Sequence, residues 1–309
     1  MTKFKMKDSI WFVLGESFRL YFKNIIKFTQ YMLFPVFGQI LGIVLIFGLT
    51  GWFAFNLPEL IEKYSFLNNF STIIFIMIAI TIPGFAIMFK ALWDYLVAYG
   101  AINSMTEALL TTGKLYDLKA HTQVITQRSL KYISLLLIIS ILFLIGINPL
   151  FWIVGIILFV YFILIFQIFT LEEDLSLMGC FKRSFQLISG NFARTFVIMM
   201  MLGFAIHLLK EAGLWLCDII RFSDVLKGIF EGWAQTLPLN DVNNWLTYYH
   251  VNTSITALDI ALGTLESFML FIIAGLTLPA RSICWTLWYK NLAEVKASAA
   301  KGNKKNKDK

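Results

Sequence analysis

Long apolar runs separated by short polar segments organise this sequence. A helix that crosses the hydrocarbon core of a bilayer needs about 20 apolar residues. The runs of roughly that length cover residues 31–54, 72–93, 132–148, 151–171, 195–213 and 265–288. The third and fourth runs are separated by Asn148-Pro149, a turn signal, and therefore predict a hairpin. The pattern predicts an all-α fold, a polytopic membrane helical bundle with about six transmembrane helices.

A short phrase recurs beside the odd-numbered runs. SFRLYFKN at 17–24 and SFQLISGN at 184–191 share Ser, Phe, Leu and Asn at the same offsets. RSLKYIS at 128–134 echoes RSFQLIS at 183–189. Repeats at such places predict three units, each an amphipathic helix followed by a helical hairpin of two spans. Chance similarity in a sequence of such biased composition is the alternative.

The segment before the first span indicates that these phrases form surface helices. Its polar residues recur at steps of three and four, which places them on one helical face, and apolar residues cover most of the rest. Such a helix lies in the headgroup region with its cations toward anionic lipid, although docking of a protein partner is the alternative. The candidates for lipid contact are Arg19, Lys23, Lys27, Lys182 and Arg183.

Composition and charge strengthen the membrane interpretation. Hydrophobic residues make up 58% of the chain and charged residues 15%, against about 25% charged residues in an ordinary soluble domain. Most lysines and arginines fall before the first span, in or after the inner ends of the even-numbered spans, or in the tail; the four others are Lys63, Lys210, Arg221 and Lys227. The positive-inside rule then predicts a multi-pass protein of the cytoplasmic (inner) membrane with both termini and the amphipathic helices in the cytoplasm.

Two regions lie outside the spans. In the outer segment 211–263, apolar residues recur at steps of three and four and predict a helix that lies on the outer membrane surface or covers the bundle as a lid. The stripe consists of Trp215, Ile219, Phe222, Leu226, Ile229 and Trp233. The lysine-rich tail 296–309 lacks aromatic residues, so it is expected to be disordered and attracted to anionic lipid. Residues 1–295 are expected to form a single integral membrane domain.

Local signals predict several helix ends. Ser104 and Glu107 fit a capping box at a helix start, and Gly113 fits the end of that helix. In the segment before the fifth span, a helix that begins near Ser176 is expected to stop at Gly190, because glycine suits a left-handed cap.

Motifs for catalysis or metal binding do not occur in the sequence. It contains no nucleophile elbow, zinc-protease motif or phosphate-binding loop, and Cys180, Cys217 and Cys284 are scattered like its histidines. The acidic run Glu172-Glu173-Asp174 is typical of a solvated helix start. We therefore expect no enzyme activity, no metal and no cofactor.

Polar residues inside membrane spans are functional candidates by default. Gln39, Gln167 and His207 lie deepest, and interhelical hydrogen bonding is the favoured interpretation over ligand binding. Lys90 and Asp94 are spaced to pair on one helical face, near the inner end of their span. Snorkelling toward the interface accounts for them without a special role.

Proline interrupts two return spans, the second and the sixth. Interrupted helices at corresponding positions indicate a binding cleft in transporter-like folds, although such kinks also occur without that role. The residues of the candidate cleft are Pro83, Lys90, Asp94, Pro279 and Arg281.

Two stretches resemble a broad bacterial group. They are CFKRSFQLISGNFARTF at 180–196 and AINSMTEALLTTGKLYDLKAHTQVITQRSLKYIS at 101–134. The group includes the membrane domain attached to some glycerophosphoryl diester phosphodiesterases and related stand-alone six-span proteins of unknown function. The phosphodiesterase chemistry of that group belongs to a separate soluble barrel without a counterpart in this sequence. The resemblance therefore implies a six-span membrane fold and transfers no catalytic residue.

These observations favour a non-enzymatic integral membrane protein that organises lipid or a membrane complex. The alternative is a transporter or permease subunit with a cleft lined by the spans that contain Pro83 and Pro279. The expected partners are membrane lipids, anionic at the inner leaflet, and a membrane protein or a second copy of the chain. No feature indicates nucleic-acid binding.

Overall fold

The computed structural model describes residues 9–147, 151–172, 174–219, 221–237, 239–248 and 253–307. Within these ranges the regular structure is helical, without a strand, and the predicted turn at Asn148-Pro149 lies outside them. The helices are α1 (Ile10–Lys23), α2 (Ile25–Lys63), α3 (Phe70–Thr112), α4 (Leu118–Thr126), α5 (Ser129–Ile147), α6 (Trp152–Phe162), α7 (Ile165–Leu171), α8 (Leu177–Ile188), α9 (Phe192–Ile219), α10 (Phe222–Ala234), α11 (Leu239–Tyr248) and α12 (Ala257–Lys307). A short 3₁₀ turn at Ser65–Asn68 joins α2 to α3.

Several of these helices are long and apolar enough to cross a membrane. By length and composition, the described residues contain five such elements: α2, α3, the stretch Trp152–Leu171 that comprises α6 and α7, α9 and α12. A sixth candidate is the pair formed by α4 and α5, which is bent by 66°. The predicted all-α class is confirmed for the described residues, and these helices have the length and composition that a membrane span requires.

The helices extend well beyond the apolar runs from which the spans were predicted. This holds for α2, α3, α9 and α12, which continue into polar sequence because adding a residue to an existing helix costs far less than starting a new one. Ser104 consequently lies inside α3 and caps no helix start, so the predicted capping box is wrong. Similarly, α12 continues to Lys307, where the lysine-rich composition predicted disorder; alanine and lysine are good helix formers.

Other predicted helix ends are present. Ser176 is the N-cap of α8, where its hydroxyl accepts a hydrogen bond from the backbone N–H of Gly179 at 3.1 Å. Gly190 follows α8 with a φ of 85°, and Gly113 follows α3 with a φ of 71°. Both angles lie in the left-handed region that glycine adopts without steric cost.

The chain divides into two compact units. The first unit consists of Met1–Met32, Leu96–Ala205 and Thr277–Lys309, and the second of Leu33–Tyr95 and Ile206–Leu276. The long helices α2, α3, α9 and α12 each contribute to both units.

In the second unit, α2 and α3 approach each other through glycine. A Cβ atom at Gly42 would lie 2.9 Å from the carbonyl oxygen of Gly84, and a Cβ at Gly84 would lie 2.9 Å from that of Gly42. One turn away, a Cβ at Gly38 would lie 2.8 Å from the Cβ of Ala91. Gly38 and Gly42 form the small-residue spacing by which membrane helices pack closely, a signal that the sequence analysis overlooked.

The outer helix α10 packs on other helices of the second unit. Phe230 is buried against Ala261, Leu265 and Met269 of α12. Trp233 packs against Phe47 of α2, with ring centroids 4.1 Å apart. The structure thus favours the lid interpretation over a helix that lies on the membrane alone.

The predicted apolar stripe of this outer segment is only partly correct. Arg221 adopts a left-handed φ of 54°, which separates α9 from α10. Residues before and after Arg221 therefore do not share one helical face, and the stripe does not continue across it. Trp215, Ile219 and Ile229 are exposed, while Phe230, which the stripe omitted, is buried. The side chain of Phe222 lies outside the described part of the structure.

Candidate functional site

Two rows of polar side chains connect α3 and α12 in the first unit. The α3 row is Tyr99, Asn103 and Glu107, and the α12 row is Ser282, Thr286 and Lys290; both advance by four residues, about one helical turn. We call these six residues the polar ladder.

The rungs of the polar ladder are hydrogen bonds and one ion pair. Asn103 Oδ1 accepts hydrogen bonds from the hydroxyls of Ser282, at 2.5 Å, and Thr286, at 3.2 Å. Lys290 forms an ion pair with Glu107 at the end of the ladder. The rungs meet in the same order along both helices, so α3 and α12 run in the same direction here.

A third helix, α7, contributes Gln167 to the polar ladder. Gln167 Nε2 donates to the Tyr99 hydroxyl at 2.7 Å and lies 3.5 Å from Asn103 Oδ1. Gln167, Asn103, Ser282 and Thr286 are all fully buried. The predicted interhelical hydrogen bonding of Gln167 is therefore present, whereas His207 is exposed and lies 3.8 Å from Glu211 of its own helix.

Beside Gln167, the helix is interrupted. Helix α6 ends at Phe162 and α7 begins at Ile165; Ile163 keeps helical dihedral angles and Leu164 departs from them, and such a break frees backbone carbonyls. Ser184 of α8 donates its hydroxyl to the carbonyl of Tyr161 at 2.7 Å. Ser184, the buried serine of the repeated phrase, thus supplies a hydrogen-bond donor to the carbonyl of Tyr161. A carbonyl left unpaired in an apolar surrounding would cost free energy.

Glu172 lies at the end of α7 and joins two further elements. Its Oε1 accepts from Arg183 Nε at 3.0 Å and from the Tyr289 hydroxyl at 2.7 Å. The acidic run was predicted as a solvated helix start, but Glu172 follows a helix end and holds α8 and α12. Arg183, a predicted lipid contact, has its guanidinium engaged by this carboxylate.

The short helix α1 buries a different face from the predicted one. Val13, Leu14, Ser17 and Tyr21 are buried, and Glu16 is buried as well. Glu16 accepts a hydrogen bond from Arg19 Nε at 2.7 Å, which compensates the burial of its carboxylate.

The opposite face of α1 combines aromatic rings with cations. Trp11 is 72% exposed and Phe22 is 63% exposed. Arg19, Lys23 and Lys27, beyond the helix end, are exposed beside them.

The short helix α8 repeats this arrangement. Cys180, Phe181, Ser184, Leu187 and Ile188 form its buried face. The exposed face carries Met178 and Phe185 with Lys182 between them. Burial raises the pKa of the Cys180 thiol, which makes it a poor nucleophile.

The candidate cleft residues fall in both units. In the second unit, Pro83 is exposed, and Lys90 pairs with Asp94 with Nζ 2.6 Å from Oδ2, as their spacing predicted. In the first unit, Pro279 is buried and Arg281 is half-buried, one residue before Ser282 of the polar ladder. A shared cleft remains a prediction.

No family model, curated protein or solved structure matches this chain. The resemblance to phosphodiesterase-associated membrane domains accordingly stays a prediction. Among the described residues, no group of three or more His, Cys, Asp or Glu side chains is arranged to hold a metal ion. The side chains of the polar ladder form hydrogen bonds between helices. The exposed rings and cations of α1 and α8 are available for contact with another surface.

Proposed function

We propose that the chain is a non-enzymatic inner-membrane protein with six spans, which binds anionic lipid at its cytoplasmic face through α1 and α8. The observation that carries this proposal is the pairing of exposed aromatic rings with exposed cations on the same short helices. Aromatic side chains favour the membrane interface, and basic side chains favour the anionic headgroups that lie there.

The direction of the polar ladder supports six spans. If α5 did not cross the membrane, α3 would be the second span and α12 the fifth, and the two would run in opposite directions. They run in the same direction, as second and sixth spans must. With the asymmetry of the lysines and arginines, this favours both termini in the cytoplasm.

The repeated phrase supports three units, with the third copy in a different place from the predicted one. Residues 128–134 enter α5, whereas 17–24 and 184–191 end a short helix. Aligning the short-helix ends places the third copy at 121–128, where four buried positions coincide in all three copies. The matched buried residues are Ser17, His121 and Ser184; Tyr21, Ile125 and Ile188; Phe28, Tyr132 and Thr195; and Tyr31, Leu135 and Ile198.

The same alignment distinguishes α4 from the other two short helices. Where α1 has Phe18 and α8 has Phe185, α4 has Thr122. The exposed positions of α4 that follow are Gln123 and Thr126, both polar. We therefore assign lipid contact to α1 and α8 and not to α4.

The alternative function, a transporter or permease subunit, rests on the polar ladder itself. Buried polar side chains between spans mark substrate pathways in many transporters, and Pro279 interrupts the backbone hydrogen bonding of α12 three residues before Ser282. The cleft would then involve the helices that contain Pro83 and Pro279. Hydrogen bonding between helices accounts for the same side chains, so lipid binding remains the first proposal.

Lipid binding can be tested with protein in nanodiscs and a count of bound phosphatidylglycerol by native mass spectrometry. The variant Lys23→Gln/Lys27→Gln/Lys182→Gln removes exposed cations from α1 and α8. The matched control Lys114→Gln/Lys119→Gln/Lys131→Gln removes as many exposed cations near α4.

We expect the first variant to lose most of its preference for phosphatidylglycerol over phosphatidylcholine and the control to keep it. Equal losses in both variants would mean that net charge alone attracts the lipid, and the assignment to α1 and α8 would be wrong.

A further inference from the structure

Two buried amides of the first unit each have one polar atom without a partner among the described residues. They are Nδ2 of Asn103 and Oε1 of Gln167. Both side chains are fully buried, and Gln167 Nε2 lies 3.5 Å from Asn103 Oδ1, so the two amide groups are neighbours. A buried polar atom without a hydrogen bond costs free energy, so a partner at this place would be stabilising.

The character of this pair does not depend on how the amides are oriented. The oxygen and nitrogen of an amide side chain are assigned from their hydrogen bonds and can be exchanged. As assigned, Asn103 leaves a donor and Gln167 leaves an acceptor. If both amides were turned over, Asn103 would leave an acceptor and Gln167 a donor. Turning over only one amide would place two nitrogens or two oxygens 3.5 Å apart, which is unfavourable, so one N–H group and one C=O group remain.

An unpaired donor on one amide and an unpaired acceptor on the neighbouring amide favour a neutral ligand. A cation would be repelled by the N–H group, and an anion would be repelled by the carbonyl oxygen. A small neutral molecule that both accepts and donates hydrogen bonds satisfies both groups, and water is the smallest of these. Buried waters typically make about three hydrogen bonds to otherwise unsatisfied polar groups.

We propose that Asn103 and Gln167 bind a water molecule at the junction of α3, α7 and α12. The hydroxyls of Ser282 and Thr286, which already bond to Asn103, hold its amide in place. The water would complete the polar ladder and join α7 to the α3–α12 pair. This inference does not depend on the proposed lipid binding, because it concerns side chains buried inside the first unit.

The first experiment is an electron-density or cryo-EM map of the protein in nanodiscs that resolves ordered waters. We expect a peak within hydrogen-bonding distance of both amides. A map that shows the two amides bonded to each other or to protein groups, with no peak between them, would overturn the proposal. A map feature larger than one water molecule would identify a neutral solute or a lipid hydroxyl at this place. That result would also contradict the proposal.

The second experiment detects the water in solution. Protein labelled with ¹⁵N at the side chains of asparagine and glutamine should show a cross-peak between the Asn103 amide protons and water, with the sign of a long-lived complex. Gln167→Met, which keeps the volume and removes the amide, should abolish that cross-peak.

The control is Thr170→Val on α7, which removes a buried hydroxyl that donates to the carbonyl of Phe166 in the same helix and leaves both amides and their hydroxyl partners. It should retain the cross-peak. If the cross-peak is missing in the wild type, or persists unchanged in Gln167→Met, Gln167 does not bind a water together with Asn103.

Discussion

The two units of the molecule use opposite means to hold their helices together. The first unit buries many polar side chains, and nearly all of those described form hydrogen bonds between elements or within a helix; among described residues they are Glu16, Ser17, Asn103, Thr106, His121, Gln167, Thr170, Ser184, Thr195, Ser282, Thr286 and Asn291. The second unit has few, of which the described ones are Gln39, Thr50 and Ser223. It relies mainly on glycine-mediated contact and on apolar packing under α10, with one hydrogen bond from Trp233 Nε1 of α10 to the Thr50 hydroxyl of α2, at 3.0 Å.

This difference indicates what each unit requires of its sequence. Where helices associate by contact between backbones, a side chain that is too large separates them. Where they associate by hydrogen bonds, size matters less and the loss of one partner matters more, because its counterpart remains buried and unpaired. Substitutions of matched size should therefore affect the two units differently.

The largest effect is expected at the glycine contact of the second unit. Gly42→Leu would place a side chain where Gly84 leaves no space, and we expect a loss of about 3 kcal/mol in unfolding free energy. Thermal unfolding in nanodiscs measures the loss. Gly48→Leu on the same helix is the control, because a Cβ there meets no atom within 4 Å. Similar losses in both variants would show that leucine is poorly tolerated anywhere in α2.

The next effect is expected at Asn103 in the first unit. Asn103→Leu has a similar volume but removes the acceptor of two rungs, so we expect a loss of about 1–2 kcal/mol in the same assay. Gln167→Leu should lose a comparable amount, and the double variant should lose less than the sum, because the two side chains share one network. Strict additivity would argue that the polar ladder is not a unit.

A smaller effect is expected for the ion pair at the end of the polar ladder. Glu107 and Lys290 are partly exposed, at 31% and 24%, so solvent screens their attraction. We expect a coupling of about 0.5–1 kcal/mol from a double-mutant cycle of Glu107→Gln and Lys290→Met. The coupling should shrink as salt is raised; a value that does not respond to salt would indicate packing in place of charge.

The smallest effect on stability is expected for the rings on the short helices. A buried phenylalanine costs several kcal/mol to remove, but Phe18 is 36% exposed and Phe185 is 49% exposed. We therefore expect Phe18→Ser and Phe185→Ser to change the unfolding free energy in detergent by about 1 kcal/mol or less, while they reduce lipid binding. Tyr21→Ser, which removes a buried ring from α1, is the comparison and should cost more.

The sequence predicted those features that depend on neighbours along the chain. Runs of apolar residues predicted the spans, and Gly113 and Gly190 predicted left-handed backbone, because one residue type decides each of these locally. The spacing of Lys90 and Asp94 predicted their ion pair for the same reason.

Features that depend on distant residues were not predictable in this way. Asn103 and Thr286 meet across 183 positions, and a single sequence does not indicate which polar rows will face each other. The proposed third copy at 121–128 was not predicted, because its buried positions match those of the other two copies in burial while their residue types differ.

The account depends most directly on the direction in which α3 and α12 cross the membrane. Single cysteines at Thr111, Ala297 and Asn244, all exposed positions, can be labelled in intact cells with a membrane-impermeant maleimide. The background variant is Cys217→Ser, because Cys180 and Cys284 are buried. We predict that the probe at Asn244 reacts from outside and that the probes at Thr111 and Ala297 react only after permeabilisation. Opposite reactivity of Thr111 and Ala297 would place the two helix ends on different sides and contradict the six-span account.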